Sequence, residues 1–254
     1  MDESIKKYLE RIKYEGSLEV SYETLYGIHV SHALSIPFEN LDVYNKKPIL
    51  LDKETLFRKI VENGRGGYCF EMNGLLSIVL KELGFKVTDL LARACLEGEI
   101  FFAKLHHVML VELDDKKWLV DVGFGGEGIT APVLIEEESE QEQFVNTYRI
   151  VTNPVFGYVL QRKVEDEYIS IYAFTTDGCI PVDYVVANHF TSTFPESFFL
   201  KERFCTIPTE KGRLTLTQGH FKVVEGEKVT ETKVAGDKEF YELLKMHFGI
   251  SIEG

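Results

Sequence analysis

A cysteine, two adjacent histidines and an aspartate are the residues of this 254-residue chain whose types and spacing could carry nucleophilic chemistry. Cys69 stands in Arg65-Gly66-Gly67-Tyr68-Cys69-Phe70-Glu71-Met72-Asn73, at what reads as the first turn of a helix. A thiol there meets unbonded amide N–H groups and the positive end of the helix dipole, both of which favour a thiolate. Cysteine catalysis also needs a base near the sulfur and a carboxylate or amide to fix the tautomer of that base. His106-His107 offer the base, and Asp121 in Asp121-Val122-Gly123-Phe124-Gly125-Gly126 offers the carboxylate.

The two histidines are neighbours on a predicted strand, so they face opposite sides and at most one serves a shared site. Asp114-Asp115-Lys116-Lys117 should turn that strand back into Trp118 to Gly123. An even-length turn centred on Asp114-Asp115 sets Asp121 opposite Val108 and diagonal to His106, within side-chain reach. An odd-length loop selects His107 instead. Each residue also has a plainer reading: a buried cysteine as a small hydrophobe, a strand histidine satisfied within its sheet, an aspartate capping a turn. Against the last, Trp118, Val120 and Val122 mark a buried strand, where an unpaired carboxylate is costly and a bond to an imidazole compensates.

The first third of the chain has helical periodicity. Ile5, Tyr8, Leu9 and Ile12 share a face before Gly16, a second helix runs from about Tyr22 to Leu34, and Asp52 looks like the N-cap of a third. The fourth begins near Cys69 and stops at Gly84; Met72, Leu75, Leu76, Val79, Leu80 and Leu83 form its apolar stripe, and Cys69 in line with Met72 and Leu76 points inward. From Val87 to about Phe174 the pattern changes to short strands joined by turns, which suggests a closed or sandwich-like sheet. The acidic stretch from Glu136 to Gln143 reads as a solvated loop. The last part combines a helix near Val182 to His189, hairpin strands and a terminal helix from about Asp237 to Phe248.

The formal charge of −13, from 28 Lys and Arg against 41 Asp and Glu, argues against nucleic acid as a partner, although a local cluster can still hold a small anion. Cys69, Cys95, Cys179 and Cys205 show no CxxC spacing and no paired-histidine signature, so neither a zinc site nor a disulfide framework is expected. His29 and His32, at i and i+3, lack a further ligand, and no metal is expected there. The N-terminus has no basic and apolar leader pattern, and no run reaches the roughly 20 apolar residues of a membrane span. The expectation is a cytoplasmic protein with no membrane partner.

Three segments together, Ile36-Pro37-Phe38-Glu39-Asn40-Leu41, the Cys69 segment and Asp121-Val122-Gly123-Phe124-Gly125, in this order and with a histidine strand before the last, resemble the arylamine N-acetyltransferase family over essentially the whole chain. The resemblance implies an α+β fold: an N-terminal helical bundle, a central antiparallel β-barrel and a C-terminal α/β lid around a cysteine-protease-like core. The corresponding units are 1–85 with the nucleophile, 86–180 with the histidine and aspartate, and 181–254 as the lid. It implies a catalytic triad of Cys69, His106 and Asp121, with His106 rather than His107 at the family's spacing from the aspartate. It implies acetyl-CoA as co-substrate and an arylamine or arylhydrazine as acceptor, joined by ping-pong transfer through an acetyl-cysteine. Phe38 and Phe124 become candidates for the acceptor pocket, Gly125, Gly126 and Thr209 for CoA contacts, and Glu39 with Arg65 for a structural pair. The chain ends at Gly254, short of many bacterial members, which bears on how the lid meets CoA. The same residue types would also serve a papain-like or transglutaminase-like hydrolase or acyltransferase acting on amides, and a binding module on a degenerate fold would need no intact triad.

Overall fold

The computed structural model describes residues 2–96 and 100–252; residues 1, 97–99, 253 and 254 of the three expected units lie outside it. Helix α1 (Glu3–Ile12) is capped by Asp2 and buries Ile5, Tyr8, Leu9 and Ile12, the face its periodicity predicts. It ends before Gly16, because Lys13 already takes the left-handed conformation that stops the helix. Ser21 caps α2 (Tyr22–Ser35), accepting from the Thr24 N–H. A short strand β1 (Phe38–Glu39) and turn α3 (Leu41–Tyr44) lead to α4 (Lys53–Leu56), capped by Asp52 and continued as a π-helical stretch over Phe57–Glu62. Helix α5 (Cys69–Glu82) completes the bundle, with Leu75, Leu76, Val79 and Leu80 fully buried.

Eight antiparallel strands follow: β2 (Lys86–Leu96), β3 (Ile100–Leu113), β4 (Lys116–Val120), β5 (Val133–Leu134), β6 (Gln141–Gln143), β7 (Asn146–Asn153), β8 (Gly157–Val164) and β9 (Glu167–Phe174). They pair in the order β5-β4-β3-β2-β9-β8-β7-β6 around a core that includes Leu90, Val108, Leu119, Leu160 and Tyr172. The two edge strands, β5 and β6, are joined by side chains. Gln141 bonds both backbone groups of Leu134, at 2.7 and 2.9 Å, and buried Gln143 bonds Thr130 N and both backbone groups of Ala131. These amides stand in for the missing ladder and nearly close the barrel. The stretch expected to be a solvated loop therefore contains a strand: its glutamines face inward although its glutamates face water.

The C-terminal part begins with α6 (Pro181–Thr193) and α7 (Phe198–Lys201) and continues as a meander, β10 (Phe204–Thr209), β11 (Gly212–Thr217), β12 (His220–Glu225) and β13 (Lys228–Lys233), closed by α8 (Asp237–Phe248). Leu216, Phe221, Phe240 and Leu244 form its core. Its sheet does not stand alone, because β1 adds to the edge of β10 with Phe38 opposite Thr206. Phe38 also bridges to Gly67, two residues before Cys69, so a single segment ties the lid to the start of α5. No helix among the described residues is long and apolar enough to cross a membrane.

Candidate active site

Cys69 opens α5 from a base of buried charge. The Glu71 side chain accepts from the Tyr68 N–H at 3.2 Å, which satisfies one of the helix's unbonded first-turn donors. Its other oxygen meets Lys59 at 2.7 Å, Lys59 meets Asp42 at 2.8 Å, and Arg65 forks onto Glu39 at 2.7 and 3.0 Å. The Arg65–Glu39 pair expected from the sequence thus belongs to a five-residue network under the loop that presents the thiol.

The base and the carboxylate come from one hairpin. Asp114 and Asp115, both left-handed at φ 51° and 57°, form a two-residue turn, and β3 and β4 pair with Val111 opposite Trp118 and Met109 opposite Val120. One step further puts Asp121 level with Val108, the even-turn register. The His106 Nε2 lies 2.7 Å from Asp121 Oδ2. The Cys69 sulfur is near enough to His106 to help raise the pKa of the imidazole, and with Nε2 engaged by Asp121, Nδ1 is the nitrogen left to face it. A bulge helps aim the ring: between Ala92 and Arg93 the register with β3 slips by one, leaving Leu105 unpaired next to His106. The Leu105 carbonyl lies 3.9 Å from Cys69 Sγ.

His107 points the other way. Its Nε2 meets Asp89 at 3.0 Å and its ring packs on Tyr184 of α6, so it anchors the lid helix to the sheet.

Asp121 is almost wholly buried, and every partner favours its ionised form. Burial works to raise its pKa, but the His106 imidazole, the Asn73 side chain and the Gly123 N–H hold it below the ordinary aspartate value. Asn73 Nδ2 donates to Asp121 Oδ1 at 2.7 Å and to the His107 carbonyl at 2.6 Å, and Asn73 Oδ1 accepts from Val122 N at 2.8 Å. His29 of α2 accepts the Asp121 backbone N–H through Nε2 at 3.2 Å, and burial lowers its pKa to about 4, so it is neutral. For His106 burial would also lower the pKa; the charge and hydrogen bond of Asp121, with the Cys69 sulfur, raise it to about 10 instead. The site therefore favours an imidazolium beside the sulfur.

Cys69, His106 and Gly123 open into a cavity of about 430 Å³. Phe38 and Phe124, the acceptor-pocket candidates that the resemblance supplied, both line it, but much of the wall comes from Phe102 of β3, Phe190 of α6, Phe194, and Phe198 and Phe199 of α7. The His106 ring meets Phe124 edge-on at 5.1 Å and tilts against Tyr172 at 5.2 Å. Gly125 lies against the Phe38 ring, and Gly126 is exposed. Thr209 ends β10 opposite Gly212, while Thr206 and Pro208 of the same strand face the glycine loop. Among the described residues no group of three or more His, Cys, Asp or Glu side chains could hold a metal ion.

Asn73, His29 and the phenylalanines from Phe190 to Phe199 were not identified from the sequence. Asn73 did carry a signal, one helical turn after Cys69 and inside its segment. The others act only through contacts made across the fold.

A sequence model described as N-acetyltransferase matches residues 21–254. The arylamine N-acetyltransferase of Escherichia coli K12 is 35% identical over 252 residues, covering 98% of this chain and 89% of that protein. The solved arylamine N-acetyltransferase of Salmonella typhimurium superposes with a TM-score of 0.94 at 31% identity, over 100% of this chain and 93% of that one. The Mycobacterium marinum enzyme in complex with CoA superposes with a TM-score of 0.90 at 32% identity, over 97% and 92% of the two chains.

Proposed function

The chain belongs to the arylamine N-acetyltransferase family, and on that premise we propose that it acetylates arylamines and arylhydrazines from acetyl-CoA by a ping-pong mechanism through an acetyl-Cys69 intermediate. The observation that carries this reading is the Cys69 thiol at the start of α5, sharing an aromatic cavity with an imidazole that Asp121 grips at 2.7 Å. The complex of the M. marinum relative with CoA supports the choice of donor.

In the first half-reaction the thiolate attacks the thioester carbonyl, the carbon–sulfur bond to CoA breaks, and the His106 imidazolium protonates the departing thiolate. With that proton given up, the ring no longer carries a charge. The imidazole that remains is a neutral base. In the second half-reaction the amine attacks acetyl-Cys69, His106 takes its proton, and the Cys69 thiolate leaves beside the new imidazolium. Asp121 holds the ring throughout, and Asn73 holds Asp121. The phenylalanine walls take the aryl group of the acceptor, as apolar surface with a few fixed polar groups at its base.

Intact mass measured after mixing with acetyl-CoA alone tests the reading. An adduct of about 42 Da, acetyl in place of hydrogen, should appear, should be absent in Cys69→Ala, and should vanish on adding an arylamine as the N-acetyl product forms. No adduct from any acyl-CoA, with release of acid or ammonia from an amide, would turn the reading to the hydrolase alternative.

A further inference from the structure

Tyr68 precedes the nucleophile and also holds the wall of the cavity above it. The residue is wholly buried, and burial pushes its phenol pKa well above the ordinary value, so the hydroxyl stays a donor. It donates to Asn188 Oδ1 of α6, and Asn188 Nδ2 donates in turn to the Ile49 carbonyl at 2.9 Å. Through its ring Tyr68 meets Phe199 of α7 edge-on at 5.9 Å. Phe190 and Phe194 follow Asn188 along α6 and at its C-terminal end, and with Phe199 they line the Cys69 cavity.

The rest of α6 is lightly held. Of its 13 residues Tyr184, Ala187, Asn188 and Thr191 are buried, whereas Val182, Val185 and Val186 are more than half exposed. The Tyr184 ring packs on His107, and Asn188 stands one turn further on. Thr191 Oγ1 has no hydrogen-bond partner among the described residues. An element with few buried apolar contacts opens at low cost, so a buried amide with two bonds to the bundle carries a large share of its hold.

That hold bears on the fate of the acyl-enzyme. With acetyl on Cys69, neutral His106 can take a proton from water as well as from an amine: water adds to the acetyl carbon, the carbon–sulfur bond breaks, and acetate leaves with the thiolate restored beside an imidazolium. The same three residues would then act as a hydrolase. A phenylalanine wall that keeps water from the thioester favours the amine.

We propose that Asn188 is a positioning residue which, by tying α6 to Tyr68, keeps water from acetyl-Cys69 and sets how the acyl-enzyme divides between amine and water. The inference rests on the acetyl-Cys69 reading above.

The test follows the acetyl-enzyme with no acceptor present. CoA released from acetyl-CoA gives a burst, which reports acylation, and a steady rate, which reports hydrolysis; decay of the acetyl adduct is read by intact mass. Asn188→Leu leaves the Tyr68 hydroxyl and the Ile49 carbonyl buried without partners, a loss that shifts a closed helix toward an open one about 10-fold or more. The steady rate should rise by that factor while the burst rate stays within about three-fold, and more arylamine should be needed to suppress acetate formation. Tyr68→Phe, which removes the hydroxyl alone, should raise hydrolysis in the same way, and the double variant should exceed neither single one, since both act on one contact. Asn188→Asp, which keeps an acceptor for the phenol, should recover part of the loss. Unchanged hydrolysis in folded Asn188→Leu and Tyr68→Phe overturns the proposal. So does an equal fall of burst and steady rate, which would mean that the substitutions displace Cys69 itself. Failure of the parent protein to form any adduct would instead sink the acetyltransfer reading.

Discussion

Gly123 packs its α-carbon against the backbone of Cys69: a β-carbon placed there would stand 2.8 Å from Cys69 Cα and 3.1 Å from the Cys69 carbonyl oxygen. The barrel and the bundle meet at this contact, which sets the height of the thiol relative to His106. Neither partner can yield cheaply, since both atoms are backbone. Gly123→Ala should therefore cost about 1–3 kcal/mol of stability, as overpacking does, and lower kcat/KM for acetyl transfer more than about 10-fold. Gly74 in the same helix is the internal control. A β-carbon there meets Leu56 at an ordinary 3.5 Å, so Gly74→Ala should raise Tm slightly with activity unchanged. Equal effects of the two substitutions would refute the contact argument.

Asn73 makes three bonds with one side chain, to Asp121, to the His107 carbonyl and to the Val122 N–H. Asn73→Leu fills the space but leaves a buried N–H and two buried acceptors short of partners, at about 1–3 kcal/mol each. The expected result is kcat lowered about 10- to 100-fold with KM for the donor little changed, because the residue holds the carboxylate and touches no substrate. A KM effect without a kcat effect would contradict this.

Much of the site was legible in the sequence because it is built from local rules. The direction of Cys69 follows from helical periodicity, whereas counting residues around Asp114-Asp115 favours His106 over His107 only for an even-length turn, and the family resemblance makes the choice. The β2–β3 bulge, which leaves the even-turn register of β3 with β4 intact, is not encoded in any local signal around Leu105. The glutamine seam escaped for a related reason: five glutamates between Glu136 and Gln143 dominate the local charge, and only barrel closure brings those amides to Leu134 and Ala131. The phenylalanines of α6 and α7 lie far along the chain from Cys69, and nothing local marks which of them face the cavity.

The four cysteines should separate by reactivity. Cys69 lies on the wall of an open cavity that His106 also lines. Cys205 is wholly buried in the lid core, and burial pushes its thiol pKa well above the ordinary value. Native protein treated with iodoacetamide should be alkylated first at Cys69 and last at Cys205, and acetyl-CoA should protect Cys69 alone. His106→Gln should slow the Cys69 reaction without touching Cys95 or Cys179. Labelling of all four at one rate, read by peptide mass, would count against an activated thiol.

His29 makes the bundle acid-sensitive at the point where it supports Asp121. Burial lowers its pKa from the ordinary 6.5 to about 4, and His32, one turn on and bonded to the Tyr8 hydroxyl, is shifted the same way by burial. Between these values the unfolded chain binds the proton and the folded chain does not. Stability is therefore intact above about pH 6.5 and falls as the pH drops toward 4, by about 3 kcal/mol for His29 alone. Protonation also removes the acceptor for the Asp121 N–H, so activity should decline over the same range. His29→Gln keeps a carbonyl oxygen that can accept this bond and cannot titrate. Urea midpoints measured from pH 7.5 to 4.5 should fall less steeply in His29→Gln than in the parent, the variant gaining on the parent steadily toward the acid end; parallel curves would show that His29 titrates normally.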